Sequence, residues 1–188
     1  MTSQIVAIIL TFQFFISSTF AQKNVAPNLF YSTNELKADL KYLKNKFESK
    51  HPGLHLYTSK SNMDQVFDSL ENGISKPMTE LEFYKHIAII SSIIKDGHTI
   101  ILPSPTNINF HYSMSHFLPY HFAILNHQLF IDMFYTHDGS IPIGSEIIRI
   151  NHVEVTEIIK QLGTRLVRDG YNLTYPNWIL NNYFRQYY

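Results

Sequence analysis

The stretch Lys95-Asp96-Gly97-His98-Thr99 carries the residue types that acid–base chemistry requires. It follows the longest amphipathic run of the chain, and the apolar residues 100–102 come directly after it. A glycine just beyond a helix is a common left-handed cap, so Gly97 is expected to end the helix and to turn His98 away from its axis. An imidazole exchanges protons close to neutral pH and works best when regular structure fixes its position. His98 is therefore a candidate general base, and the simpler alternative is an ordinary surface turn.

Three amphipathic runs lead up to this turn, and we expect them to form a small three-helix domain over residues 33–102. Thr33 is the expected N-cap of the first helix, and Ser61 is that of the second. In the third run, Thr79 and Glu82 have the spacing of a capping box, and isoleucines then recur at helical spacing. Because the third helix would run without a break to the Asp-Gly-His-Thr turn, it is the element that positions the candidate base.

Residues 103–188 have the pattern of β-structure, so the expected fold class of the chain is α+β. Apolar runs over 118–125 and 128–135 flank Asn126-His127, which predicts a hairpin, although a type I′ turn prefers glycine where His127 stands. The other expected elements are a short strand over 100–102, a turn at Gly144, a strand over 146–150, a tight turn at Asn151-His152, a helix capped by Thr156 and a helical tail over 178–188.

The composition excludes several classes of function. The 188 residues carry 15 Lys+Arg and 15 Asp+Glu, so the formal net charge is zero and no basic stripe favours nucleic-acid binding. Cysteine is absent, which rules out disulfides, thiolate catalysis and Cys-ligated zinc. Histidines are dense over residues 111–137, but their spacings are not typical of a metal site, so neither a metal nor another cofactor is expected. These histidines are His111, His116, His121, His127 and His137.

The first residues have the features of an export signal. An apolar run over residues 5–16 is followed by small and polar residues, and Thr19 and Ala21 suit cleavage after Ala21. Because the run is short for a membrane span, we expect a signal peptide over 1–21, a linker over 22–32 and no stable membrane anchor after cleavage. An uncleaved anchor or a buried helix is the alternative. An exported protein without cysteine fits the bacterial periplasm, with the extracellular space as the other destination.

Two stretches together resemble a known family. The first is residues 77–84 (Pro-Met-Thr-Glu-Leu-Glu-Phe-Tyr) leading to residues 95–99, and the second is residues 141–151 (Ile-Pro-Ile-Gly-Ser-Glu-Ile-Ile-Arg-Ile-Asn). In order and spacing they are similar to the tail-specific (C-terminal processing) and tricorn-core serine peptidases, in their exported, Bacteroidetes-type form. Residues 51–54 (His-Pro-Gly-Leu) and 169–172 (Asp-Gly-Tyr-Asn) also match that family.

The resemblance implies a domain order. A helical N-terminal domain over 33–102 precedes a PDZ-like region within 103–188 that ends in a truncated helix, and the α/β catalytic domain that would follow is absent from this chain. In the tricorn-like branch His98 would be the general base, whereas the other branch uses a Ser–Lys pair, and both mechanisms stay open. The nucleophilic serine, the oxyanion-hole donors and an acidic partner would lie in the missing domain. A serine precedes the histidine in the tricorn core; Gly97 stands there instead, so no hydroxyl role carries over.

The PDZ-like resemblance implies a second site, because PDZ modules add a peptide as a strand and hold its terminal carboxylate with backbone N–H groups. Gly144, Ser145 and Ile148 are the candidate substrate-binding residues, and the expected ligands are C-termini of peptide or protein substrates. A purely structural role for these residues is the alternative. Two functions follow: the N-terminal portion of an exported serine peptidase, inactive without its catalytic domain, or a non-catalytic exported peptide-binding or adaptor module.

Overall fold

The computed structural model describes residues 28–114, 117–136 and 141–188. These ranges form a mixed α/β structure of helices and three small sheets, which is compatible with the expected α+β class. The expected signal peptide, the first part of the expected linker, His116 and His137 lie outside the described residues. Within the described ranges, no helix is both long enough and apolar enough to cross a membrane.

The structure interleaves helices with short strands. The helices are α1 (Thr33–Lys50), α2 (Lys60–Gly73), α3 (Glu80–Ile87), α4 (Ile89–Ile94), α5 (Pro105–Met114), α6 (Val155–Gly163) and α7 (Thr174–Tyr187). The strands are β1 (Phe30–Tyr31), β2 (Met78–Thr79), β3 (Tyr120–Leu125), β4 (Gln128–Phe134), β5 (Glu146–Ile147), β6 (Arg149–Ile150) and β7 (Val153–Glu154). The antiparallel pairs are β1 with β2, β3 with β4, β4 with β5, and β6 with β7.

Apolar side chains collect into two hydrophobic cores. The first lies among α1, α2, α3 and α4, and the second lies among β3, β4, α6 and α7. We call the elements around the first core the first unit and those around the second core the second unit. Ile90 and Ile94 are fully buried in the first core, and Leu129 is fully buried in the second. Burial of these side chains is the main force that holds each unit together. The first core therefore ends, along the chain, directly before the Lys95–Thr99 turn.

The helix caps are partly those expected from the sequence. The capping box of Thr79 and Glu82 is confirmed at the start of α3. The expected cap Thr33 is wrong, because Ser32 accepts the hydrogen bond from the Glu35 N–H and Glu35 completes a capping box in return. The expected caps Ser61 and Thr156 are also wrong. Ser59 caps α2, and α6 follows Glu154 without a side-chain cap because β7 leads straight into it.

The amphipathic run before the Lys95–Thr99 turn does not form one continuous helix, contrary to expectation. The helical pattern breaks at Ala88, where Ser91 N–H bonds to the Ala88 carbonyl oxygen three residues back. The Ser92 hydroxyl donates to the Thr164 carbonyl oxygen at 2.6 Å and so ties α4 to the second unit. Buried serines whose hydroxyls bond to backbone groups compete with regular helix, which accounts for the break.

The expected strand over 100–102 is wrong, and α5 was not predicted. Ile101 N–H donates to the Ser91 hydroxyl oxygen at 3.2 Å instead of to a neighbouring strand. This segment is irregular up to Pro105, where α5 begins. The Ser91 hydroxyl of α4 thus accepts the hydrogen bond of the Ile101 N–H, which a neighbouring strand would otherwise have accepted.

The two tight turns expected in the second unit are confirmed. Asn126 and His127 have φ values of 50° and 66°, and Asn151 and His152 have 50° and 67°. Left-handed angles at both central residues are what a type I′ hairpin requires, so histidine serves at the position where glycine is favoured. The turn at Gly144, with φ 84°, is confirmed as well. The strand expected over 146–150 is instead divided into β5 and β6, which belong to different sheets.

Candidate functional site

The Lys95–Thr99 turn begins with a strained residue, and that residue is not the one expected. Lys95 has φ 59° and ψ 37° and forms the left-handed cap of α4. Gly97 is not in the left-handed region, so its expected role as the cap is wrong. The left-handed Lys95 directs its carbonyl oxygen to the Gly170 N–H at 2.9 Å. A backbone contact with the second unit is therefore made at the residue where the helix ends.

Asp96 is the centre of a hydrogen-bond network. Its Oδ2 accepts from the Thr99 hydroxyl at 2.7 Å and lies 3.0 Å from His51 Nε2. Its Oδ1 accepts from the His98 backbone N–H at 3.1 Å. These interactions, led by the one from Thr99, lower the pKa of Asp96 from 3.8 to about 2 against an opposing effect of burial. The carboxylate is therefore ionised at any pH at which the protein would work.

Stability in acid should depend on this carboxylate. Because the pKa of Asp96 is lower in the folded chain than in the unfolded one, its contribution is complete above pH 3.8 and is lost as the pH falls towards 2. We expect Asp96→Asn to make the free energy of unfolding less dependent on pH in this window, as measured by urea titrations. Lys44 and Lys60 likewise lower the pKa of Asp64 to about 2, so Asp64→Asn should remove a separate part of the dependence. A pH dependence of Asp96→Asn equal to that of the wild type would contradict the role of the network.

His51 supports Asp96 from the end of α1. Its Nδ1 accepts a hydrogen bond from the Gly53 N–H at 3.2 Å, which leaves the proton on Nε2 in the neutral ring. Nε2 then donates towards Asp96 Oδ2 and towards the Thr99 hydroxyl oxygen, 2.9 Å away. The His51 side chain is only 8% exposed, so the ring is held in one place. Its proton is thus fixed on the side that faces the carboxylate.

His98 itself projects into solvent. Its side chain is 94% exposed, and its Nδ1 lies 3.4 Å from Asp96 Oδ1. At this distance the ring nitrogen and the carboxylate oxygen are neighbours but do not form a hydrogen bond. In the part of the chain that the structure describes, Nε2 has no hydrogen-bond partner. The arrangement leaves the imidazole beside a carboxylate and open to an approaching group.

The second unit contributes residues 169–171 to the same turn. Asp169 Oδ1 accepts from the Gly97 N–H at 2.6 Å. The Lys95 ammonium lies 4.1 Å above the centre of the Tyr171 ring, which in turn meets the Tyr57 ring edge-on. These contacts tie the turn to residues 169–171, in addition to its hydrogen bonds with His51.

Three sequence stretches that are far apart therefore meet around His98: residues 51–54, 95–99 and 169–172. Sequence reasoning placed His98 here but gave no role to His51, Asp96, Thr99 or Asp169. The only signal in the sequence was that all three stretches are among those on which the expected family resemblance rests. No protein-family model matches the chain, and no curated protein is significantly similar to it. This convergence is consequently the main observation from which a function can be inferred.

Asp96, His98 and Asp169 are also close enough to be considered for a metal ion. One ligand atom from each lies within 4.8 Å of the others. Both carboxylates, however, already accept hydrogen bonds from backbone N–H groups of the turn, and His98 is almost fully exposed. Hydrogen bonding to the turn explains the positions of the carboxylates without a cation.

The candidate peptide-binding residues lie elsewhere, beside β4. The Gly144 N–H donates to the Ile131 carbonyl oxygen at 2.7 Å, and the Ser145 N–H donates to that of Pro142 at 3.1 Å. Neither N–H is therefore a free donor for a carboxylate. The Ile148 side chain is 64% exposed, and its carbonyl oxygen accepts from the Val155 N–H at 2.9 Å. The exposed Ile148 side chain is a group that a ligand could contact without breaking any of these backbone hydrogen bonds.

Proposed function

We propose that this chain is the N-terminal portion of an exported serine-type peptidase of the tail-specific or tricorn-like kind, with His98 as its general base. The observation that carries the proposal is the exposed His98 imidazole beside an ionised carboxylate that is itself fully hydrogen-bonded. A base oriented by a third group is half of the constellation that activates a serine or another weak nucleophile. The convergence of residues 51–54, 95–99 and 169–172 on this histidine adds support, because these are the stretches that resemble the family.

The chemistry of such a base has two steps. Nε2 of His98 takes the proton from a serine hydroxyl as the oxygen attacks the peptide carbonyl, and it later returns that proton to the leaving amine. In this proposal Asp96, whose Oδ1 lies 3.4 Å from Nδ1, is the carboxylate that faces the imidazolium between the two steps. Electrostatic support of this type requires a carboxylate that stays ionised, and the low pKa of Asp96 meets that requirement.

The nucleophile has to approach His98 from outside the described residues. Within those ranges no serine hydroxyl is hydrogen-bonded to His98, and the ring is open on the side away from Asp96. A further surface would have to cover the imidazole, because water-excluded sites strengthen such interactions. We therefore expect this chain by itself to bind or position substrate but not to hydrolyse it.

A non-catalytic peptide-binding or adaptor module is the second candidate, and the sheet of the second unit favours it. β5 pairs with β4 alone among the described strands, so the other edge of β5 is open to an added peptide strand. The exposed Ile148 follows that edge and could contact a ligand side chain. The expected ligands are the C-terminal segments of peptides or proteins, in the periplasm or outside the cell.

Two assays separate these functions. The purified chain should not cleave casein or an unstructured peptide, because no serine hydroxyl of the described residues is hydrogen-bonded to His98. A longer product of the same reading frame, or a neighbouring gene product, should carry a nucleophilic serine that reacts with a fluorophosphonate probe and should cleave the peptide. Turnover by the chain alone that is abolished by His98→Ala would overturn the assignment of the nucleophile to another segment. If neither product contains a reactive serine, the peptidase proposal fails and the adaptor remains.

A further inference from the structure

Asp169 reaches the functional turn from the other unit of the protein. It lies between α6 and α7, and its Oδ1 accepts from the Gly97 N–H at 2.6 Å. The next N–H along the chain, that of His98, donates to Asp96 Oδ1. Successive peptide planes before His98 are thus each fixed by a carboxylate, one from each unit. Together they set the direction in which the His98 side chain leaves the backbone.

Gly97 is required here by space and not by backbone conformation. A Cβ at this position would lie 2.6 Å from both carboxylate oxygens of Asp169. The residue does not have a positive φ, so an alanine could adopt its backbone angles without strain. Substitution of Gly97 would therefore act chiefly by displacing the Asp169 carboxylate. Substitution of Gly97 therefore disturbs the hydrogen bond to Asp169 without removing the charge of Asp169.

The neighbouring residues hold Asp169 in place. The Gly170 N–H donates to the Lys95 carbonyl oxygen at 2.9 Å, and Gly170 has a left-handed φ of 56°. A Cβ on Gly170 would lie 3.1 Å from the Tyr57 ring, so the chain passes close to that ring. Tyr171 carries the Lys95 ammonium on its face. The segment therefore arrives at the turn with little freedom, which is the condition for one side chain to position another.

We propose that Asp169 is a positioning residue for His98: through the Gly97 N–H it fixes the turn so that Nδ1 of the imidazole faces Asp96. The role of His98 as a general base rests on the proposed function, whereas the position of its ring relative to Asp96 does not. Asp96, His51 and Lys95 also surround the turn, and each has contacts of its own. The tyrosines beside them, Tyr171 and Tyr57, contact Lys95 and each other. We assign the effect of Asp169 to this hydrogen bond, and the variants below separate it from the charge of a carboxylate that lies within 4.8 Å of His98.

Nuclear magnetic resonance of the whole chain, labelled uniformly with ¹⁵N, can test this claim. The neutral His98 ring of the wild type should carry its proton mainly on Nδ1. Asp169→Ala and Gly97→Ala should both shift the proton towards Nε2. In both variants the amide hydrogen of residue 97 should exchange about 2- to 10-fold faster than in the wild type, the effect of losing one hydrogen bond. Asp169→Asn keeps an oxygen that can accept from Gly97, so it should resemble the wild type. Amide exchange at Leu129, in the second core, serves as the control for general loosening and should not change.

Two results would overturn the proposal. An unchanged His98 tautomer in both Asp169→Ala and Gly97→Ala would mean that the contact is only structural. If Asp169→Asn behaves like Asp169→Ala while Gly97→Ala behaves like the wild type, the charge of Asp169 acts and its hydrogen bond does not. Neither measurement involves peptide cleavage, so a failure of the peptidase assays leaves this test intact, and the reverse also holds.

Discussion

His98→Gln is expected, under the proposed peptidase function, to lower kcat/KM for peptide hydrolysis by a longer, serine-bearing product about 10²- to 10⁴-fold, the usual contribution of a general base. Glutamine keeps a polar side chain of similar size but cannot take a proton from the nucleophile. The fold should not change, because the His98 side chain is 94% exposed. Cleavage of an internally quenched peptide gives the rate, and the reaction of the serine with a fluorophosphonate probe should slow in parallel.

His121 offers a matched control on the hairpin. Its Nδ1 lies 3.1 Å from Asp132 Oδ2, so it is also a histidine beside a carboxylate. The pair lies on β3 and β4, outside the three stretches that meet at the Lys95–Thr99 turn. Among the described residues, the His121 ring has no hydrogen-bond partner besides Asp132. His121→Gln should leave the rate unchanged. An equal loss in both variants would point to general damage, and a fully retained rate in His98→Gln would exclude His98 as the base.

Local patterns in the sequence were sufficient where a few neighbouring residues determine the structure. The hairpin at Asn126-His127 and the capping box of Thr79 and Glu82 are of this kind, since each depends on residues at most a few positions apart. The N-cap of α1 shows the limit of such reasoning. Ser32 and Thr33 are both good caps, and pairing of the preceding Tyr31 in β1 with Met78 determines which of them precedes the first helical turn.

Distant contacts account for the errors. The segment over 100–102 has a strand-like composition, but the Ser91 hydroxyl takes the Ile101 N–H that a strand would have used. The break at Ala88 has a similar origin, because Ser92 bonds to Thr164 from the second unit, 72 positions away. The periodicity of apolar residues in the sequence does not reveal that a serine hydroxyl on a helix will form a hydrogen bond with a distant backbone group.

The candidate site was predictable in part for the same reason. His98 and Asp96 are two residues apart, so the turn could be recognised from the local motif. His51 lies 45 positions from Asp96, and Gly97 lies 72 positions from Asp169. The need for glycine at position 97 was attributed to a left-handed turn, whereas the structure relates it to the space that Asp169 occupies. A glycine in a motif thus indicates a constraint without telling whether the constraint is conformational or steric.

Ile94→Ala should lower the free energy of unfolding by about 2 to 5 kcal/mol, because removing a buried aliphatic side chain loses its transfer energy and leaves a cavity. Ile94 is the last residue of α4 and is 0% exposed, so little can relax around it. This is a large part of the roughly 5 to 15 kcal/mol that stabilises a typical domain. Ile94→Ala should also loosen the strained Lys95 that follows, because the packing of α4 holds that residue in its left-handed conformation. Urea unfolding measures the loss, and Ile100→Ala, at a side chain that is 50% exposed, should stay within about 0.5 kcal/mol of the wild type. Equal effects of the two substitutions would mean that the first core does not support the turn.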